Sequence, residues 1–292
     1  MNATHTIPVT TDPPTTAITA TADGPMLVAL DVDGTLLPEG TIDVPPVNAD
    51  AVQDVIAAGH HVVLSTGRSL VGVMPVAASL GLTSGWVVAS NGAVTARLTP
   101  NAPGGYEIAD AFTLDVPPVV ALVRELMAET QIAAEEVGYG YHVTREFEAG
   151  LLNGRQTVVT HDRLPEATPR LVLHAPGVTT LLGHLRTLDV TATPAGENWI
   201  DLAVGLVSKA TALYRIRRRL GVHPDRTLAI GDGANDLPMF KWAATAIAMG
   251  DAPAAVRLAA DAVTGTLQQH GAASILDAIA AGKPPTPPAG CH

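Results

Sequence analysis

The 292-residue sequence has a single cysteine, Cys291, next to its C-terminus. A disulfide framework or a cysteine-built metal site within one chain is therefore excluded, and a reducing, cytoplasmic location is expected. Positive charge is scarce, with 17 Lys and Arg against 28 Asp and Glu, a net charge of −11. Without a basic block, a nucleic-acid backbone is not an expected partner, and nothing draws the chain to anionic membrane surfaces. The charge of an anionic ligand would have to be met locally, by a metal or by a few placed cations. No apolar run approaches the roughly 20 residues of a membrane span. The first 25 residues hold no Lys or Arg and no apolar stretch, so they do not read as a secretory signal.

Aromatics make up only 3% of the chain, but hydrophobic residues reach 47%, mostly Ala, Val and Leu. That supply fills a sizeable globular core, in two domains or in one large domain with an insertion. Residues 1–25 and the Pro-rich 283–292 lack periodicity and are expected to be disordered tails. Between them strands and helices alternate. Met26 to Val32 reads as a strand buried on both faces, as do His61 to Ser65 and Trp86 to Ser90. Helices are expected over Val47 to Gly59, with Asn48 or a neighbour as cap, and over Ser69 to Leu80. The rhythm returns with a helix over Lys209 to Leu220, a strand over Thr227 to Ile230, a helix over Leu237 to Ala243 and a strand over Thr245 to Met249. Such a series implies an α/β fold with a parallel sheet and right-handed crossovers. Residues 96–204 differ, with polar connections and alternating strands, and are expected to form an α+β insertion. The core is then discontinuous, over 26–95 and 205–282.

Four segments carry chemistry, each at the C-terminal end of an expected core strand or at the start of the next helix, where open parallel sheets bind ligands. Asp31-Val32-Asp33-Gly34-Thr35 places two carboxylates two residues apart. That pair is costly beside a buried strand unless a cation or a reaction uses it. Asp31 could attack phosphorus and Asp33 could carry a proton, although Asp and Gly also make ordinary turns. Ser65-Thr66-Gly67-Arg68 offers a hydroxyl and an amide at a helix start, suited to phosphate oxygens or to plain capping. Lys209 opens a helix and could meet phosphate charge. Gly231-Asp232-Gly233-Ala234-Asn235-Asp236 spaces two aspartates to face one point, and with Asp31 they supply the oxygen ligands Mg²⁺ prefers. The ten histidines form no ligand cluster, and the Arg215 to Arg219 run reads as a solvated helix face.

Taken together, DVDGT, STGR, SKA and GDGAND resemble the motifs of the haloacid dehalogenase superfamily of phosphatases. The subgroup resembled is the Cof type, with a class IIB α/β cap between the second and third motifs. The resemblance implies a Rossmann-like core, a Mg²⁺ cofactor and hydrolysis of a small phosphorylated metabolite through an aspartyl phosphate. By the same resemblance, Asp31 is the nucleophile and a metal ligand. Asp33 is the general acid/base and also offers its carbonyl to the metal. Val32, Thr66, Gly67, Lys209 and Asn235 hold the phosphate. Asp232 completes the metal's inner ligands, and Asp236 acts on a water of the metal or on Lys209. Ser90-Asn91-Gly92-Ala93 resembles a stretch near the hinge to the cap. Sugar, nucleotide or flavin phosphates and pyridoxal phosphate all remain open as substrates, and Tyr139 to Glu146 and Glu197 to Trp199 are candidate selectors. A phosphomutase of the same superfamily, or a phosphorylation-dependent signalling or scaffold module, is the alternative. A monomer or a small homo-oligomer is expected.

Overall fold

The computed structural model describes residues 24–285. The expected tails and Cys291 therefore lie almost wholly outside the described residues. The strands, in chain order, begin with β1 (Leu27–Leu30), β2 (His61–Ser65), β3 (Gly85–Ala89), β4 (Val94–Leu98) and β5 (Tyr106–Ala111). The middle of the chain adds β6 (Leu114–Asp115), β7 (Gln131–Glu136), β8 (Gly140–Val143), β9 (Arg155–Val158), β10 (Ala167–Thr168), β11 (Leu171–His174), β12 (Val190–Pro194) and β13 (Trp199–Val204). The last three are β14 (Thr227–Gly231), β15 (Thr245–Ala248) and β16 (Ala262–Val263). The helices are α1 (Pro46–Ala57), α2 (Leu70–Ser79), α3 (Val116–Leu126), α4 (Leu182–Leu185), α5 (Lys209–Leu220), α6 (Leu237–Trp242), α7 (Ala254–Arg257) and α8 (Gly271–Ala280).

Eight strands form one sheet in the order β16-β15-β14-β1-β2-β3-β4-β5. Its first six members are parallel, and β4 and β5 continue it antiparallel. Side-chain alternation along β1 explains why both faces are covered. Val28 and Leu30 pack with Val52, Val55, Val73 and Ile275 of α1, α2 and α8, whereas Leu27 and Ala29 pack with Leu213, Ile216 and Phe240 of α5 and α6. A second sheet, β12-β13-β11-β7-β8-β9, is a separate layer. One of its faces packs on Val116, Val119 and Val123 of α3.

Two expectations are corrected. The insertion does not begin at residue 96, because β4 and β5 belong to the core sheet and the second layer's strands start only past Ala111. A half-exposed antiparallel hairpin such as Val94–Ala111 alternates like the strands that follow it, so composition could not separate them. Asn48 does not cap α1 either. Pro45 precedes the helix, and buried Asn48 donates its Nδ2 to the carbonyl of Leu36 at 2.7 Å, tying the helix to the loop after β1.

Candidate active site

Strand β1 delivers Asp31, 5% exposed, to the C-terminal edge of the core sheet. Its amide donates to the Ile230 carbonyl at 3.0 Å, so it stands beside the end of β14. The chain then turns on Val32, whose carbonyl accepts the amides of Leu36 and Leu37 at 2.9 and 3.2 Å. Gly34 takes φ +75°, and a Cβ there would lie 2.3 Å from an Asp232 carboxylate oxygen, so only glycine fits. Thr35 donates its hydroxyl to Asp232 Oδ1 at 3.1 Å.

Lys209, the first residue of α5, is fully buried and bridges two carboxylates. Its Nζ lies 2.5 Å from Asp31 Oδ1 and 2.6 Å from Asp236 Oδ1. The other oxygen of Asp236 accepts the amides of Asp232 and Gly233 at 2.9 and 2.8 Å, which folds the GDGAND loop onto itself. Oxygen atoms of Asp31, Asp232 and Asp236 lie within 4.8 Å of one another. Burial, reinforced by Asp236, pushes the Asp31 carboxyl well above the usual range, while Lys209 opposes it. Burial and Asp236 likewise raise Asp232 to about 6. Burial works against the Lys209 ammonium, but Asp236 and Asp31 outweigh it and hold its pKa above the ordinary lysine value. Three crowded carboxylates face one ammonium, and the charge left over suits a hard divalent cation with oxygen ligands. On this donor set a Mg²⁺ ion fits, and Asp31 and Asp232 would hold it, since Asp236 is already engaged on both oxygens.

Asp33 is not part of this cluster. Both of its oxygens accept from Arg68, Nε at 2.8 Å and Nη2 at 2.5 Å, and Arg68 also donates to the Thr41 carbonyl at 2.7 Å. Arg68 lies within the STGR segment, whose pattern assigns it no role; its bidentate grip depends on β2 lying beside β1. Thr66 is buried, its hydroxyl accepting the Arg68 amide at 3.1 Å. Gly67 lies against Asn91 and Asn235, whose side chains join through Asn235 Nδ2 and Asn91 Oδ1 at 3.1 Å. The Ser90-Asn91 turn is strained, with φ of +50° and +53° at two residues that are not glycine. Each such residue costs on the order of 1 kcal/mol or more unless its surroundings impose it.

A pocket connects this edge to the second sheet. From the core come Asn91, Lys209 and Asn235; from the second sheet come Arg170, Thr191, Thr193 and Asp201. Arg170 pairs with Asp201 Oδ1 through Nε and Nη2 at 3.0 and 2.7 Å and donates to the Tyr141 hydroxyl at 2.7 Å. The expected selectors are thus displaced. Tyr139 is 69% exposed in a turn, and Trp199 meets Phe147 edge-on and His174 at a tilt. Tyr141 and Trp199 buttress Arg170 and Asp201 from behind, Trp199 donating to Asp201 at 3.1 Å. The arginine run on α5 is also more than a solvated face. Arg219 pairs with Asp110 at 2.8 Å, and Arg215 lies 4.4 Å from the Phe112 ring centre.

A family profile described as haloacid dehalogenase-like hydrolase matches residues 28–147 and 175–276. The chain belongs to the haloacid dehalogenase-like hydrolase family. It is 28% identical over 264 residues to the 5-amino-6-(5-phospho-D-ribitylamino)uracil phosphatase YitU of Bacillus subtilis, covering 86% of this chain and 96% of that one. It is 29% identical over 252 residues to a phosphoglycolate phosphatase of Natronomonas pharaonis, with coverage of 86% and 96%. Among solved structures, a haloacid dehalogenase superfamily phosphatase from Bacteroides thetaiotaomicron superposes with a TM-score of 0.72 at 25% identity, covering 92% of this chain and 98% of that chain. The subclass IIB sugar phosphatase BT4131 gives 0.72 at 19% identity, covering 85% and 96%. The fold of this hydrolase is that of subclass IIB, an α/β core with a cap. No helix among the described residues is long and apolar enough to cross a membrane.

Proposed function

We propose that this hydrolase is a Mg²⁺-dependent phosphatase that cleaves a small, hydroxyl-bearing phosphate monoester through an aspartyl phosphate on Asp31. The enzyme is a phosphoric monoester hydrolase. The observation that carries the reading is the buried Asp31 carboxylate, 2.5 Å from the Lys209 ammonium and clustered with Asp232 and Asp236. Bound among those carboxylates, Mg²⁺ supplies Lewis-acid neutralisation of the charge between carboxylate and phosphate.

Lys209 fixes the rotation of the Asp31 carboxylate and meets charge on the phosphate oxygens. An Asp31 oxygen attacks phosphorus, the bond from phosphorus to the leaving oxygen breaks, and Asp33 protonates that oxygen. Asp33 then takes a proton from the water that releases inorganic phosphate and regenerates Asp31. Thr66, Gly67, the Val32 amide and Asn235 hold the remaining phosphate oxygens. Because Arg68 occupies both oxygens of Asp33, proton transfer needs Asp33 to turn out of that grip. Residues from Phe112 to Val204 act as the cap over this edge, with Thr191, Thr193 and Asp201 facing the leaving group. Hydroxyls and a carboxylate oxygen there favour a hydroxylated chain over a flat aromatic ring, which finds no aromatic side chain in that lining. The experiment is phosphate release across polyol, sugar, nucleotide and pyridoxal phosphates with and without EDTA. Turnover that survives exhaustive EDTA, or a preference for pyridoxal phosphate, would overturn the reading.

A further inference from the structure

Three of the four motifs meet at the short turn Ser90–Gly92. The Ser90 amide donates to the Arg68 carbonyl at 2.7 Å and the Asn91 amide to the Thr66 carbonyl at 3.0 Å, so the turn is sewn to the STGR segment. Gly92 has φ +102°, and a Cβ on it would meet the Ser208 carbonyl at 2.1 Å, so the turn lies directly against the start of α5 where Lys209 stands. Asn91 accepts from Asn235 of the GDGAND loop. Left-handed backbone at Ser90 and Asn91 persists only where neighbours impose it.

One of those neighbours comes from the other sheet. Glu135 of β7 is 4% exposed, and its Oε2 accepts the Ser90 hydroxyl at 2.5 Å. Its Oε1 accepts the Leu70 amide, at the start of α2, at 3.4 Å. Its own backbone is pinned, the amide donating to the Arg170 carbonyl at 2.9 Å and the carbonyl accepting the Thr168 hydroxyl at 2.9 Å. The carboxylate is therefore placed by the cap sheet and spends both oxygens on the core. Burial raises its pKa, opposed by the Ser90 hydrogen bond and by Arg170. A buried acid held at that cost indicates that its two donors matter.

We infer that Glu135 is a positioning residue through which the cap sheet holds the Ser90–Asn91 turn, and with it Asn235, in the arrangement that binds phosphate. Cap engagement and phosphate affinity are then one linked equilibrium. When Glu135 withdraws, Ser90 loses its acceptor, the strained turn relaxes and Asn235 loses its partner Asn91. The inference rests on the phosphatase reading only for what the turn serves, not for the contacts that build it.

The test uses the full chain with Mg²⁺ and compares Glu135→Ala, Glu135→Gln, Ser90→Ala and the double variant Glu135→Ala/Ser90→Ala. Inorganic phosphate is the binding probe, by calorimetry, and nitrophenyl phosphate the substrate. Glu135→Ala is expected to raise the Kd for phosphate and the KM together by about fivefold or more, with kcat changed by less than about twofold. Ser90→Ala should raise Kd and KM in the same direction, and the double variant should be no worse than Glu135→Ala, because both single variants remove the Ser90–Glu135 connection while the Leu70 contact goes only with Glu135. Glu135→Gln should recover most of the affinity, since an amide oxygen still accepts from Ser90. Lower melting temperatures with unchanged Kd and KM, or additive effects in the double variant, would overturn the inference. Should Glu135→Ala not fold, Ser90→Ala and Glu135→Gln carry the same comparison. If the wild-type chain neither hydrolyses phosphate esters nor binds phosphate, the phosphatase reading fails by itself. The Asn235 side-chain amide resonance then decides the coupling: a shift in Ser90→Ala and Glu135→Ala supports it, and no shift refutes it.

Discussion

Asp31 and Asp33 leave the same strand two residues apart and meet opposite surroundings. Asp31 is buried against an ammonium and two further carboxylates, whereas Asp33 is partly exposed and gripped by a guanidinium. They should fail differently. Asp31→Asn removes the attacking oxygen, so no phosphoenzyme forms and turnover falls to background. Asp33→Asn keeps the nucleophile and loses the proton donor, about 10²–10⁴-fold in kcat for alkyl phosphates and less for a nitrophenyl ester. Rapid-quench detection of phosphoenzyme on each variant separates the two roles. A covalent species on Asp31→Asn would refute the assignment. Arg68 belongs to the same comparison, because it orients Asp33 through two hydrogen bonds and is itself anchored on Thr41. Arg68→Met should cost roughly tenfold in kcat on alkyl phosphates and little on nitrophenyl phosphate, since only the first needs the acid. Equal losses on both substrates would show that Arg68 acts elsewhere.

The elements that carry the site were readable in the sequence for a physical reason. A strand buried on both faces must be continuously apolar, so MLVAL, HVVLS and TLAI stand out, and ligand groups follow at their C-terminal ends. DVDGT, Lys209 and GDGAND accordingly meet in the structure. What could not be read is pairing between elements whose local patterns are alike. Val94–Leu98 and Tyr106–Ala111 alternate like the cap strands, yet they extend the core sheet. Glu135 and Asp201, along β7 and β13, and Arg170, just before β11, are ordinary polar positions until the sheets face each other. The α5 arginines looked solvent-directed because helical spacing says nothing of what lies opposite. Arg219 in fact reaches Asp110 at the end of β5, where the chain leaves the core sheet. Gly92 offers a direct check on how tightly these elements close. Gly92→Ala needs φ +102° and sets a Cβ against backbone, not against a movable side chain. Its melting temperature should drop by an amount equivalent to about 1–3 kcal/mol or more, whereas Gly40→Ala, with open space around it, should lose less. Equal losses at the two positions would mean that α5 does not press on the turn.

The carboxylate cluster is expected to make the stability of the entire chain depend on metal and on protons together. Asp31 and Asp232 both bind a proton more tightly in the folded chain than in the unfolded one. The stability each contributes is fully present below its unfolded pKa, roughly 4, and is lost as pH rises through its folded value, about 6 for Asp232. Lys209 does not offset this in the same range, because its raised pKa lies far above neutrality. EDTA-treated protein should therefore lose melting temperature between about pH 4 and pH 7, compared with an Asp31→Asn/Asp232→Asn variant measured in parallel. Mg²⁺ is expected to reverse the sign at neutral pH, since it would favour the ionised carboxylates and bind only the folded arrangement. At free Mg²⁺ a hundredfold above its Kd the gain is about 2.7 kcal/mol, or roughly 5–10 °C for a chain of this size. At pH 5 the same Mg²⁺ should give a smaller shift, because protons compete for the oxygens. Differential scanning calorimetry at the two pH values, with and without Mg²⁺, reads all four corners. A Mg²⁺ shift that is equal at both pH values or undiminished in the double variant would place the metal somewhere other than on Asp31 and Asp232, and no shift at pH 7 would refute metal binding by the folded chain.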